Sequence, residues 1–179
     1  MRIVIILMVA FLSGQSHGAA KSDVVIDFAP KADGAKYKEA LASLIRLSDR
    51  IVVTEHSSLY DLYDVETEKY LISDEITYDE RTLSNDQRDF FLVTIKALDP
   101  TTQDGFSSCI PVVHHTFYFY VGDKLQDTLG VCFQCNQVIW SGTKAVPPWS
   151  LYTGLAKVLV ELGLSPRRDW QKIARDALK

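Results

Sequence analysis

The chain has 179 residues, 47% of them hydrophobic and 23% charged, with a formal net charge of −4 at pH 7. That balance excludes wholesale disorder, and the length suffices for one core but is thin for two domains. The acidic surplus would repel a phosphate backbone, so the composition points away from nucleic acid as a partner.

The N-terminus reads as a secretory signal peptide. Arg2 precedes an apolar run over residues 3–12, and small and polar residues follow over 13–20. A basic start, an apolar centre and small residues before a cleavage point make up the export signature. The run falls short of the roughly 20 apolar residues needed to cross a bilayer. Cleavage is expected after Ala20, with Gly18 as the alternative. No cysteine follows the run, which argues against a lipid anchor, and no second hydrophobic span follows it. The expected organisation is a signal peptide over 1–20 and a single α+β domain over 21–179, secreted or periplasmic, with no membrane span after cleavage. That domain carries 18 Lys+Arg against 23 Asp+Glu, a net charge of −5.

Residues 21–35 read as an irregular lead-in, because Pro30 and Gly34 discourage regular structure. Tyr37, Leu41, Leu44, Ile45 and Leu47 then fall at helical spacing, predicting an amphipathic helix over 36–49. The β-branched run Ile51-Val52-Val53 predicts a strand reaching His56. Tyr60, Leu62, Tyr63 and Val65 suggest a second extended piece. Residues 70–72 and 76–78 are short strand candidates around the acidic turn Ser73-Asp74-Glu75. Ser84-Asn85-Asp86-Gln87 is a capping-box pattern, in which the hydroxyl and the Gln side chain exchange hydrogen bonds with each other's backbone N–H. The helix it opens should stop before Pro100, with Phe90, Phe91, Ile95 and Leu98 as its core stripe.

Residues 101–108 read as loop. Residues 112–121 and 124–139, rich in Val, Phe, Tyr and Thr, predict a long hairpin around Gly122-Asp123. Phe117 and Phe119 share one face and are expected inward, with Tyr118 and Tyr120 on the wetter side. After Pro147-Pro148 comes a helix over 150–162, with Gly163 as a left-handed cap. A charged helix over 166–178 follows, docked by Trp170, Ile173 and Leu178. This order does not alternate as parallel βαβ units do. It predicts an α+β fold: an antiparallel sheet with a long hairpin in its C-terminal half and helices packed on one face.

The chemistry-bearing residues gather at the hairpin. Cys109, His114 and His115 lie on its incoming side, and Cys132 and Cys135 on its outgoing side. A two-residue turn at Gly122-Asp123 sets Cys109 opposite Asn136, whereas a three-residue turn over 121–123 sets it opposite Cys135. One residue of register flips every side chain to the other face. Three cysteines cannot all pair within one chain, so three uses compete. A structural disulfide from Cys109 to Cys132 or Cys135 suits an exported protein. A zinc site could use Cys109, Cys132, Cys135 and either His114 or His115, with Asn136 supplying the left-handed corner of a knuckle. Thiol–disulfide chemistry at Cys132 and Cys135 is disfavoured by their β-rich setting, away from a helix N-terminus. On a strand His114 and His115 point to opposite faces, so only one can enter a given site. Thr54-Glu55-His56-Ser57-Ser58 holds an acid, a base and hydroxyls, but no pattern supplies the orienting groups of a hydrolase. Trp140 and Trp149 flank the Pro-Pro loop as a candidate binding edge.

Ser48-Asp49-Arg50-Ile51-Val52-Val53, then Cys109 and Pro111 with a nearby His, then Cys132-Phe133-Gln134-Cys135, resemble a group of small bacterial proteins. Those proteins are exported or lipid-anchored and carry a Cys-x-Pro-x-His segment and a later Cys-Phe-x-Cys segment. The resemblance spans about residues 36–163 and supplies no substrate. This chain reads Pro-Val-Val-His, so His114 stands one place later than that pattern. The functional expectation is an exported, soluble binding or interaction protein with a structural Cys/His cluster. A zinc-binding protein is the first alternative, and a thiol-redox or hydrolytic enzyme the second.

Overall fold

The computed structural model describes residues 33–71, 74–102 and 108–179. The expected signal peptide and most of the lead-in lie outside them, as do Ile72, Ser73 and the middle of the 101–108 loop. Helix α1 (Gly34–Leu47) leads into strand β1 (Arg50–His56). A 3-10 turn (Leu59–Leu62) and a small ribbon, β2 (Tyr63–Asp64) with β3 (Lys69–Tyr70), precede edge strand β4 (Thr77–Thr82). Helix α2 (Asn85–Ala97), the hairpin β5 (His115–Val121) and β6 (Lys124–Cys132), and short β7 (Gln137–Ile139) follow. Helices α3 (Leu151–Glu161) and α4 (Trp170–Ala177) close the chain.

The fold is α+β with a five-stranded antiparallel sheet of order β4-β1-β5-β6-β7. Alternation along the strands sends Ile51, Val53, Phe117, Phe119, Leu129 and Val131 to one face, where they merge with Leu41, Ile45, Phe91, Ile95, Leu155 and Leu159 of α1–α3 into one core. Phe117 and Phe119 are inward, and Tyr118 and Tyr120 stand on the half-exposed face, as the alternation predicts. Ser84 caps α2 through both arms of the capping box. Gly163 has the left-handed φ of +77° expected of the residue after α3.

Several expectations fail for local reasons. The turn is the two-residue alternative, Gly122-Asp123, with a positive φ at the glycine, but the register it implies holds only for the first pairs. Tyr120 pairs with Leu125 but Phe119 pairs with Asp127, so Gln126 is bulged and the register beyond matches neither anticipated alternative. The run 124–139 is two strands, not one: β6 ends at Cys132, and residues 133–136 turn the chain into β7, with Asn136 at φ +48°. In α2, Phe91 and Ile95 are buried while Phe90 is exposed, because adjacent helical residues point about 100° apart. The last helix starts at Trp170 under an Asp169 cap rather than at Pro166, and Leu178 does not dock. Trp140 donates to Asp127 Oδ2 (2.7 Å) and meets the Tyr37 ring edge-on, so of the two candidate edge tryptophans only Trp149 is exposed.

Candidate functional site

The cysteines resolve into a staple and a buried thiol. Cys109 and Cys135 form a disulfide with their Cα atoms 5.7 Å apart, within the ordinary range. Cys109 lies in the irregular stretch before β5, and Cys135 in the β6–β7 turn. The bond therefore ties that turn to the incoming side of the hairpin. Gln137 Nε2 donates to Cys109 O (3.1 Å), adding a second tie at the same place. Cys132, at the end of β6, is a buried free thiol. Cys132 and Cys135 are thus not paired with each other. With Cys109 and Cys135 joined, the four donors of a Cys₃His tetrahedron are not brought together. Among the described residues no group of three or more His, Cys, Asp or Glu side chains is arranged to hold a metal ion.

The histidines form a different assembly. Glu55 and His115 are cross-strand partners on the core face, two residues beyond Val53 and Phe117. Both are fully buried, with Glu55 Oε2 3.5 Å from His115 Nε2. Arg168 reaches in from the α3–α4 connection, its Nη1 2.7 Å from Glu55 Oε1. The main chain of Ser165 faces both groups. None of the four side-chain polar atoms of Glu55 and His115 makes a well-oriented hydrogen bond, so the Arg168 contact is one of charge rather than alignment. Burial pushes the Glu55 carboxyl above the usual carboxylate range, against the pull of Arg168. Burial, helped by the neighbouring His114 and His56, pushes His115 down to about 3, so its ring is neutral.

His114 and His56 flank this pair. His114 Nε2 donates to Asp61 Oδ2 (2.9 Å), which also accepts from Ser58 N–H (2.8 Å). The His114 ring stacks on Trp170 at 4.4 Å and 7°, while the His115 ring meets the same indole edge-on at 5.5 Å. Both neighbours thus reach one residue, contrary to strict alternation, because His114 lies just outside β5. His56 Nδ1 donates to Ser57 O (2.9 Å), which leaves Nε2 to accept from the Thr116 hydroxyl (2.9 Å). Both serine hydroxyls of the Thr54–Ser58 stretch are otherwise engaged: Ser57 Oγ accepts from Ile76 N–H, and Ser58 Oγ caps the 3-10 turn; Thr54 Oγ1 is buried without a hydrogen-bond partner. No serine in that stretch is paired with an imidazole as a nucleophile with its base.

Beside the stapled turn lies a cleft of about 410 Å³. The stapled turn supplies Phe133 and Asn136, helix α3 supplies Tyr152 and Thr153, and the α3–α4 connection supplies Ser165 and Arg167. Burial raises the Tyr152 phenol to about 12, so it is a neutral hydrogen-bonding group at the cleft wall. Phe133 also packs edge-on against His115 at 5.6 Å. One layer of residues, Phe133 and Ser165, belongs both to the cleft lining and to the surroundings of the buried acid–base pair. Sequence reasoning had Glu55, His114 and His115, but not Asp61 or Arg168. No family model, curated protein or solved structure matches the chain.

Proposed function

We propose that this is an exported binding domain whose Cys109–Cys135 disulfide is structural and whose ligand is a small molecule held in the Phe133–Arg167 cleft. The observation that carries the reading is the shared wall. The stapled turn places Phe133 and Asn136 on the cleft, and Phe133 in turn abuts the buried Glu55–His115 pair. A mainly apolar cleft with a few convergent polar groups, next to ionisable residues shifted from their ordinary values, is the usual character of a ligand site. Of the residues resembling small exported bacterial proteins, Phe133 of the Cys132–Cys135 segment lines this wall, and the Cys109–Cys135 bond fastens the turn that carries it, which fits the same reading.

Titration of the oxidised, processed protein with benzoate, benzamide and benzylamine, followed by ¹⁵N NMR, tests the cleft. The expected result is saturable shifts at Phe133, Thr153, Ser165 and Arg167 for at least one probe, lost on reduction of the disulfide. Shifts scattered over the surface, or none, would contradict the reading. Export is tested by N-terminal sequencing from a secretion-competent bacterium: a start after Gly18 or Ala20 supports it, and an intact Met1 in the soluble fraction rejects it.

A further inference from the structure

A second surface owes nothing to the cleft. Along the 3-10 turn and the β2–β3 ribbon, Tyr60, Tyr63, Val65, Tyr70 and Leu71 are each at least 40% exposed. The ribbon that presents them is anchored rather than frayed. Leu62 beneath it is fully buried, and Leu71 N–H donates to Leu62 O (2.7 Å). Asp61 is fixed by His114 and by the Ser58 backbone. Tyr63 and Tyr70 are directly opposed across the ribbon and meet edge-to-face at 5.2 Å, so their rings form one aromatic facet. Two strands of two residues each have no stability of their own, and the Tyr63–Tyr70 pair, worth at most about 1 kcal/mol, still leaves both rings and their apolar neighbours largely exposed. A paired aromatic facet with exposed apolar side chains close to it in sequence, held on an anchored element, is the kind of surface that partners cover.

The charge around the facet says what fits it. From Tyr60 to Glu75 the sequence has six acids and one base, Lys69. Glu66 and Glu68, in the turn that joins the two tyrosine-bearing strands, are exposed. Phenol faces attract guanidinium and ammonium groups, and surrounding carboxylates reinforce them. The chain already uses such a contact elsewhere, with the Arg50 guanidinium 3.7 Å from the Tyr120 ring centroid. Tyrosine and arginine are also the residues most enriched at interface centres. An anionic membrane surface would be repelled by this face, as would another acidic one.

We propose that the Tyr60–Leu71 face docks a cationic protein segment in which Lys or Arg residues are interleaved with aliphatic ones. Its cations lie against Tyr63, Tyr70 and the flanking glutamates, and its aliphatic side chains cover Val65 and Leu71. The proposal stands whether or not the cleft binds a ligand.

The test uses the full processed protein and a labelled peptide of alternating Arg and Leu, with a Glu–Leu peptide as control. The Arg peptide should bind with amide shifts confined to residues 60–71, and its affinity should fall roughly tenfold on going from low to high salt. Glu66→Lys with Glu68→Lys should abolish binding, and Tyr63→Ser with Tyr70→Ser should weaken it at least as much. Circular dichroism checks that each variant is folded; if the tyrosine pair is not, the two exposed glutamates carry the test. Equal binding of the Glu peptide, shifts elsewhere, or binding unaffected by the glutamate variant would overturn the proposal. So would concentration-dependent self-association that shifts residues 60–71 without peptide, since a second copy would then own the face.

Discussion

Two ends of one sheet face are equally deep and chemically opposite. At one end Ile51, Val53, Phe117 and Phe119 pack against α1–α3, and Phe91 lies 5.3 Å from the Phe117 ring. At the other, the next inward positions on the same two strands are Glu55 and His115, no more exposed than the phenylalanines. The apolar end gains from burial and close packing. The polar end has two ionisable groups out of water without aligned hydrogen bonds, an arrangement that costs stability unless something compensates it. The same alternation that builds a core delivers a carboxylate and an imidazole into it when the residue type changes. Depth alone therefore does not make a residue structural.

The comparison can be broken first at its apolar end. Phe117→Ala should destabilise by about 3–5 kcal/mol, read as a lower urea midpoint at unchanged m-value. A loss under about 1 kcal/mol would mean that the face is not the tightly packed core described.

Acidification probes the polar end. His115 titrates near 3 in the fold against an ordinary 6.5, so below 6.5 the unfolded chain takes up a proton that the native ring refuses. Its contribution to stability is present above 6.5 and is lost as the pH falls toward 3. At pH 4 the loss is about 3 kcal/mol relative to pH 7. Glu55 has the opposite sign. Its raised value means that its contribution is present at low pH and lost as the pH rises through the native value. Relative to the parent, His115→Phe should therefore gain stability on acidification. Parallel pH profiles of parent and variant would show that the ring is not buried neutral.

The staple ranks next. Reduction, or Cys109→Ser, should destabilise by roughly 2–4 kcal/mol, and chelators should leave the parent unchanged. A chelator-sensitive midpoint would favour the zinc reading instead. Ser84→Ala, which removes one arm of the α2 cap away from both ends, sets the scale at about 1 kcal/mol. A neutral result there would mean that another group satisfies the freed N–H.

Much of the fold was legible because its signals are local. Helical spacing gave α1, the β-branched run gave β1, and Ser84-Gln87 gave the start of α2 within a residue. The antiparallel hairpin followed from composition, but its register did not, since the Gln126 bulge leaves no mark in a run of strand-forming residues. Nor did the break after Cys132, because Phe133, Val138 and Ile139 continue the apolar texture through a turn that only Asn136 betrays. The cysteine pairing depended on both, so either bridge remained open. Glu55 pointed inward by simple alternation from Ile51 and Val53. Its partner Arg168 and the His114 partner Asp61 come from distant segments, which no periodicity connects.

Under the proposed function the Glu55–His115 pair serves the neighbouring cleft and is not needed for the stability of the fold. Chemical denaturation of Glu55→Leu with His115→Leu at pH 7, against the parent, tests it most directly. Replacing a buried ionisable pair by apolar side chains of similar volume is neutral or stabilising by about 1–4 kcal/mol when the pair is not structural. The expected midpoint is equal to or above the parent's. A loss of more than about 2 kcal/mol, on the scale of removing a needed buried partner, would contradict it and make the polar end a structural element like the phenylalanine end beside it.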